Sequence, residues 1–103
     1  MKADQPAYLV GNFTVIDEPL MAEYAKQAGP LVGKFGGRMV LAEQQMIPVE
    51  GAAEPSLVII QFPNFEAAQA FYLSPEYVPV KELRLRATTG GFLSLLTGLP
   101  SHQ

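Results

Sequence analysis

SLVIIQFPNFEAAQAFYLSPEY, residues 56–77, reads as a strand that turns directly into a helix. Leu57 to Ile60 is an apolar run too short for a helix and rich in β-branched side chains. With Gln61 and Phe62 it predicts a strand covered on both faces. Pro63–Asn64 turns the chain. Asn64 is suited to N-cap a helix, and Glu66 places negative charge in its first turn. Ala67, Ala68, Phe71 and Tyr72 then form one buried stripe, whose alanines let the helix lie close to a sheet. Ser74–Pro75–Glu76 stops that helix and restarts a short one, with Ser74 as cap and Pro75 as first residue.

Upstream, Ala7 to Val15 predicts the first strand. Leu9, Gly11, Phe13 and Val15 share one face, and Tyr8, Val10, Asn12 and Thr14 the other. Gly11 removes a side chain from the apolar face and leaves room there. Asp17 caps the next element, with Glu18 and Pro19 in its first turn. Leu20, Met21, Tyr24, Ala25, Ala28, Leu31, Val32 and Phe35 mark one helix face. Pro30 cannot donate to the Lys26 carbonyl, so a kink or break is expected at Gly29–Pro30, with a second segment starting there. Gly36–Gly37 ends the helix. Arg38 to Val49 is a second strand region, with Met39 and Leu41 on one face and a bulge near Gln44–Gln45. Residues 50–55 form a loop.

Downstream, Pro79 is expected to break the restarted helix, leaving residues 81–86 as a last turn or a lead into the final strand. That strand is Thr89 to Leu96, with Gly90–Gly91 at its start and leucines on both faces. The order is β-α-β-β-α-β, the ferredoxin-like pattern of an α+β fold. It comprises a four-stranded antiparallel sheet with both helices on one side. One domain over residues 7–97 is expected, with tails at 1–6 and 98–103. The other sheet face, with Tyr8, Val10, Leu57, Ile59 and a leucine from Leu93 or Leu95, would be bare and apolar. Burial against a second copy is the expected remedy, which makes the partner a homodimer mate.

The sequence runs Phe35–Gly36–Gly37–Arg38, then Ile60–Gln61–Phe62–Pro63, then Ala67–Ala68 with Phe71–Tyr72. Ser74–Pro75–Glu76–Tyr77 and Leu83–Arg84 follow. Taken together these segments resemble domain-of-unknown-function family 1330, within the dimeric α+β barrel superfamily, over nearly the whole chain. The resemblance implies the fold and the dimer, and no established activity. Pro79 and Glu82 depart from the uninterrupted helix of that family, and Asn12 and Thr14 stand where it commonly has acidic residues.

Composition narrows the chemistry. Of 103 residues, 49% are hydrophobic and 17% charged, with a net charge of -3. That balance is the reverse of a disordered chain, and it provides no basic stripe for nucleic acid. The one basic cluster, Lys81, Arg84 and Arg86, reads as a solvated helix end. There is no cysteine, and the single histidine, His102, sits in the tail. Thiolate chemistry is excluded, and no metal or other cofactor is expected. No apolar run reaches the roughly 18 residues of a membrane span, and the N-terminus lacks a signal-peptide core. A soluble cytoplasmic protein is expected, with no membrane or nucleic-acid partner.

Candidate ligand-binding residues are Arg38, Tyr24, Tyr72 and Tyr77. An arginine with phenols at the rim of a sheet–helix cleft suits a small aromatic or carboxylated molecule. The plainer reading pairs Arg38 with Glu43 or Glu76 and packs the tyrosines as core rings. Asn12 and Gln61 either line a dimer cavity or hydrogen-bond across the two-fold axis. Ser74, with no histidine to activate it, is a cap. Two functions follow from these residues: a non-catalytic dimer that binds a metabolite, or a cofactor-independent enzyme of monooxygenase or isomerase type.

Overall fold

The computed structural model describes residues 5–100. Its elements are β1 (Ala7–Val15), α1 (Glu18–Lys34), β2 (Arg38–Glu43), β3 (Ser56–Phe62), α2 (Phe65–Leu73), α3 (Tyr77–Ala87) and β4 (Thr88–Thr97). The four strands form one sheet in the order β2-β3-β1-β4, all neighbours antiparallel. This is a ferredoxin-like α+β arrangement, with a third helix where only a short restart was expected. The molecule is a slab 40 × 36 × 16 Å, one sheet and one helix layer thick.

Local signals set the element ends. The Asp17 side chain accepts from the Leu20 N–H at 3.0 Å, and Asn64 from the Ala67 N–H at 2.8 Å, each satisfying an orphan donor of its helix. At the other end of α1, the Gly36 N–H reaches the Gly33 carbonyl and the Gly37 N–H the Val32 carbonyl at 2.8 Å. Gly36 is left-handed at φ 81°, which completes a Schellman stop. Gly37 sits so close to Phe62 that a Cβ there would lie 2.6 Å from the ring.

The core lies between the helices and the sheet. Phe62, Phe71 and Tyr77 are its largest fully buried side chains. Phe71 packs 5.4 Å from Phe62 and 4.7 Å from Tyr77, ring centre to ring centre, and edge-on to Phe35 at 6.2 Å. Ala68, wholly buried, brings α2 down against the strands.

Four expectations need correction. First, α1 runs unbroken through Pro30. Lys26 and Pro30 are both exposed, so water can take the carbonyl that Pro30 cannot serve. Second, β2 stops at Glu43, and its irregularity falls between Met39 and Leu41 rather than at Gln44–Gln45. Met39 pairs with Ile60 and Leu41 with Ile59, so Met39 and Leu41 stand on opposite faces.

Third, Pro79 does not break α3, and residues 81–86 are helical. Pro79 is the third helical residue, where its missing N–H would have had no partner. Fourth, Leu93 and Leu95 face the helices. They stand opposite Gly11 and Leu9, and pack against the core. Phe92 and Leu96 take the bare side instead, opposite Asn12 and Tyr8. Gly90 and Gly91, both at positive φ, carry β4 past a register shift beside Asn12 and Thr14.

That bare face carries Val10, Leu41, Leu57, Ile59, Phe92 and Leu96, each partly or largely exposed. On the helix side, α1 and α3 are joined at both ends. The N–H groups of Ile16 and Asp17, just before α1, both donate to the Ala87 carbonyl that ends α3, at 2.8 and 3.3 Å. At the opposite end, Lys34 pairs with Glu76.

Candidate functional site

Between α1 and the β2–β3–β1 part of the sheet lies an open cleft of about 760 Å³. Its cause is the composition of α1. The helix turns Ala25, Ala28, Gly29 and Gly33 to the space, and a Cβ on Gly29 or Gly33 would meet nothing within 4 Å. Side chains this small cannot reach the strands, so the gap stays open. The floor is apolar, with Leu9, Val58, Ile60 and Leu93.

Gly11 is not what opens the cleft. Phe13, Val58 and Leu93 close over it, all 3.2–3.3 Å from where its Cβ would be. The expected loosening at Gly29–Pro30 is likewise absent, since α1 is continuous.

Polar side chains line the cleft as well, among them Thr14, Glu18, Arg38, Glu43 and Gln45, and two helices add a tyrosine and an arginine. Tyr24, on α1, and Arg84, on α3, both line it. The Tyr24 hydroxyl lies 2.8 Å from that of Tyr77, and Arg84 Nε donates to the Tyr77 hydroxyl at 3.4 Å. Tyr77 and Arg84 are seven residues apart, two helical turns, and therefore share a face of α3. Tyr77 is buried behind Tyr24 and does not line the cleft. Burial pushes the Tyr24 phenol well above the usual tyrosine range; Tyr77 adds to this, and Arg84 opposes it. Tyr24 is thus a neutral phenol that can donate or accept a hydrogen bond. Arg84 also borders a smaller hollow of about 250 Å³ beside residues 88–93.

The remaining candidates separate. Arg38 also lines the cleft and is exposed. Its guanidinium donates to Gln61 Oε1 at 3.0 Å, so neither Glu43 nor Glu76 is its partner. Tyr72 lies outside the cleft, 5.8 Å from the Tyr77 ring, and carries the Lys81 ammonium over its face at 5.0 Å. Asn12 is buried and fully engaged within its own chain. Its amide donates to the carbonyls of Glu54 and Ser56, and its oxygen accepts from the Glu54 N–H. Thr14 donates to the Glu54 carboxylate. Together they tie the β2–β3 loop to the sheet. Ser74 accepts from the Glu76 N–H at 3.1 Å in the turn between α2 and α3; it is not the N-cap expected of it, since α3 starts at Tyr77, past Pro75, with Glu76 at its N-cap and no side-chain cap bond.

Arg84 was missed in the sequence because its cluster reads as a solvated surface; its helical spacing from Tyr77 was the available signal. The stripe Ala25, Ala28, Gly29, Gly33 was the signal for the cleft. Among the described residues no three His, Cys, Asp or Glu side chains gather as metal ligands, and His102 lies outside those residues. No helix among them is long and apolar enough to cross a membrane.

The sequence profile of a domain of unknown function, DUF1330, matches residues 6–99. No curated protein matches the chain in sequence. Among solved structures, a protein of unknown function from Rhodopseudomonas palustris superposes with a TM-score of 0.78 at 18% identity, covering 93% of this chain and 84% of that one. SnoaB, a cofactor-independent oxygenase from Streptomyces nogalater, gives 0.65 at 15% identity, covering 95% and 97%. A dimeric protein of unknown function and ferredoxin-like fold from Bacteroides fragilis gives 0.57 at 13% identity, covering 89% and 94%. At these identities the likeness is one of fold.

Proposed function

The chain belongs to the DUF1330 family, and from that premise we propose that it is a small cytoplasmic homodimer, one domain per chain, that binds an organic metabolite in the cleft between α1 and the sheet. The cleft itself carries this reading. Its volume of about 760 Å³ falls within the range of small-molecule sites, roughly 300–1,000 Å³, and apolar walls with a few convergent polar groups are what such sites present. An acidic net charge of -3 speaks against nucleic acid as the partner.

The dimer rests on the bare sheet face. The slab is 40 × 36 Å across, ample for the about 800 Å² that each partner contributes to a standard interface. The Bacteroides fragilis protein of this fold is dimeric.

A thermal-shift screen against aromatic and aliphatic metabolites tests the binding reading, because a ligand at a hundred times its Kd stabilises by about 2.7 kcal/mol. A panel that raised the melting temperature of the wild type but not of a variant with the cleft filled, Gly33→Leu, supports it. Equal shifts in both would sink it.

A second reading is cofactor-independent oxygenation of the bound molecule, as SnoaB is a cofactor-independent oxygenase of this fold. Tyr24, held neutral, suits a hydrogen-bond donor to a substrate anion better than a base. Oxygen uptake on addition of a hydroxylated aromatic would favour this reading over simple binding.

A further inference from the structure

Arg84 is half-buried; among the described residues its Nε donates to the Tyr77 hydroxyl at 3.4 Å, and its guanidinium also stands against the Tyr24 hydroxyl. The only ion pair among the described residues is Lys34–Glu76, so none of their carboxylates lies within ion-pair distance of Arg84, although Glu18 and Glu43 line the same cleft. Yet Arg84 lines a cleft whose floor is Leu9, Val58, Ile60 and Leu93. A guanidinium keeps its charge at any ordinary pH and has five donors in a planar fork. Here Nε is engaged by Tyr77 and the guanidinium also meets the Tyr24 hydroxyl, which together orient the fork and leave its remaining N–H groups for something in the cleft. A partly desolvated cation beside an apolar wall attracts an anion more strongly than the same cation in water.

On the reading that the cleft binds a metabolite, we infer that its ligand is a carboxylate with an apolar body, the carboxylate forked on Arg84 and the body laid along the sheet. Arg38, the arginine singled out in the sequence, is exposed and already donates to Gln61, so it is not the anchor. Tyr24, beside Arg84 on the cleft wall, has a phenol that can donate to the same carboxylate. The planar two-oxygen shape of a carboxylate matches the fork, which a hydroxyl of equal bulk does not.

Two probes of one shape decide the matter: 2-naphthoate and its neutral counterpart 2-naphthalenemethanol, titrated calorimetrically into the wild type, Arg84→Gln, Arg84→Lys and Arg38→Ala. The wild type and Arg38→Ala are expected to bind naphthoate at least tenfold more tightly than the alcohol. Arg84→Gln should erase the preference, and Arg84→Lys should keep part of it. High salt should weaken naphthoate and leave the alcohol unchanged, a contrast that holds even if an Arg84 variant fails to fold. Equal binding of both probes to the wild type would overturn the inference while leaving the cleft reading intact. So would a preference that survived Arg84→Gln or vanished in Arg38→Ala. If neither probe bound, the cleft reading would fail and the inference with it.

Discussion

The hydroxyls of Tyr24 and Tyr77 meet at 2.8 Å, joining the middle of α1 to the first residue of α3 beside the cleft. Burial raises the Tyr24 pKa, so the native state keeps this proton at a pH where the unfolded chain, with an ordinary phenol value of about 10, gives it up. The stabilisation is full below about pH 10 and is lost as the pH rises beyond it. Urea midpoints should therefore fall on the alkaline side of that value. Tyr24→Phe should flatten the fall, and an unchanged slope in that variant would assign it to another group.

Ile59→Lys and Leu96→Lys place a charge on the bare sheet face. Both should convert a dimer to a monomer by size-exclusion chromatography with light scattering. A wild type that is monomeric at micromolar concentration would refute the assembly outright. Leu95→Lys is a different case: Leu95 packs against the helices, so it should unfold the chain rather than dissociate it.

Asn12→Ala removes three hydrogen bonds and leaves the Glu54 N–H without its acceptor. The expected loss is about 1–3 kcal/mol for the unsatisfied buried group. Hydrogen exchange should speed up in residues 44–55, which this side chain ties to the sheet. Protection that stayed as in the wild type would show that the loop holds without it.

Gly33→Ala and Gly37→Ala should move stability in opposite directions. At Gly33 an added methyl meets nothing and favours the helix, a gain of about 0.5–1 kcal/mol. At Gly37 it meets the Phe62 ring at 2.6 Å and Val32 at 2.9 Å, an overpacking that costs about 1–3 kcal/mol. Chemical denaturation of the pair reads both signs at once.

Arg38→Ala should change stability by no more than about 0.5 kcal/mol, because the residue is exposed and its one bond is to a surface glutamine. A larger loss would mean that Arg38 holds the β2 edge in place.

What the sequence made legible was local. Asp17, Asn64 and Gly36–Gly37 announce helix ends because a cap needs only neighbours within four residues. The parity of β1 and β3 was readable because alternation survives along an unbroken strand. Irregular registers were not. The slip at Met39–Leu41 and the Gly90–Gly91 passage depend on which strand lies alongside, and that put Leu93 and Leu95 on the wrong face. Pro30 and Pro79 were over-read as breaks, since the cost of a proline depends on whether water or a helix end supplies what it lacks. Arg38 drew attention by its place after two glycines. Arg84 went unnoticed in a basic cluster, because only the packing of α3 against α1 shows which of those three cations turns inward.

The two ends of the α1–α3 contact are closed by different kinds of bond. At the Ala87 end, one carbonyl takes both Ile16 and Asp17, and backbone bonds of this sort do not respond to ionic strength. At the Lys34 end, the closure is a pair between side chains 56% and 54% exposed, which salt readily screens. The helices therefore form a clasp with a fixed pin and a weak catch. Added salt should loosen the Lys34–Glu76 catch alone, because the Tyr24–Tyr77 hydroxyl contact, one residue further along the chain from Glu76, is uncharged and still holds the two helices together.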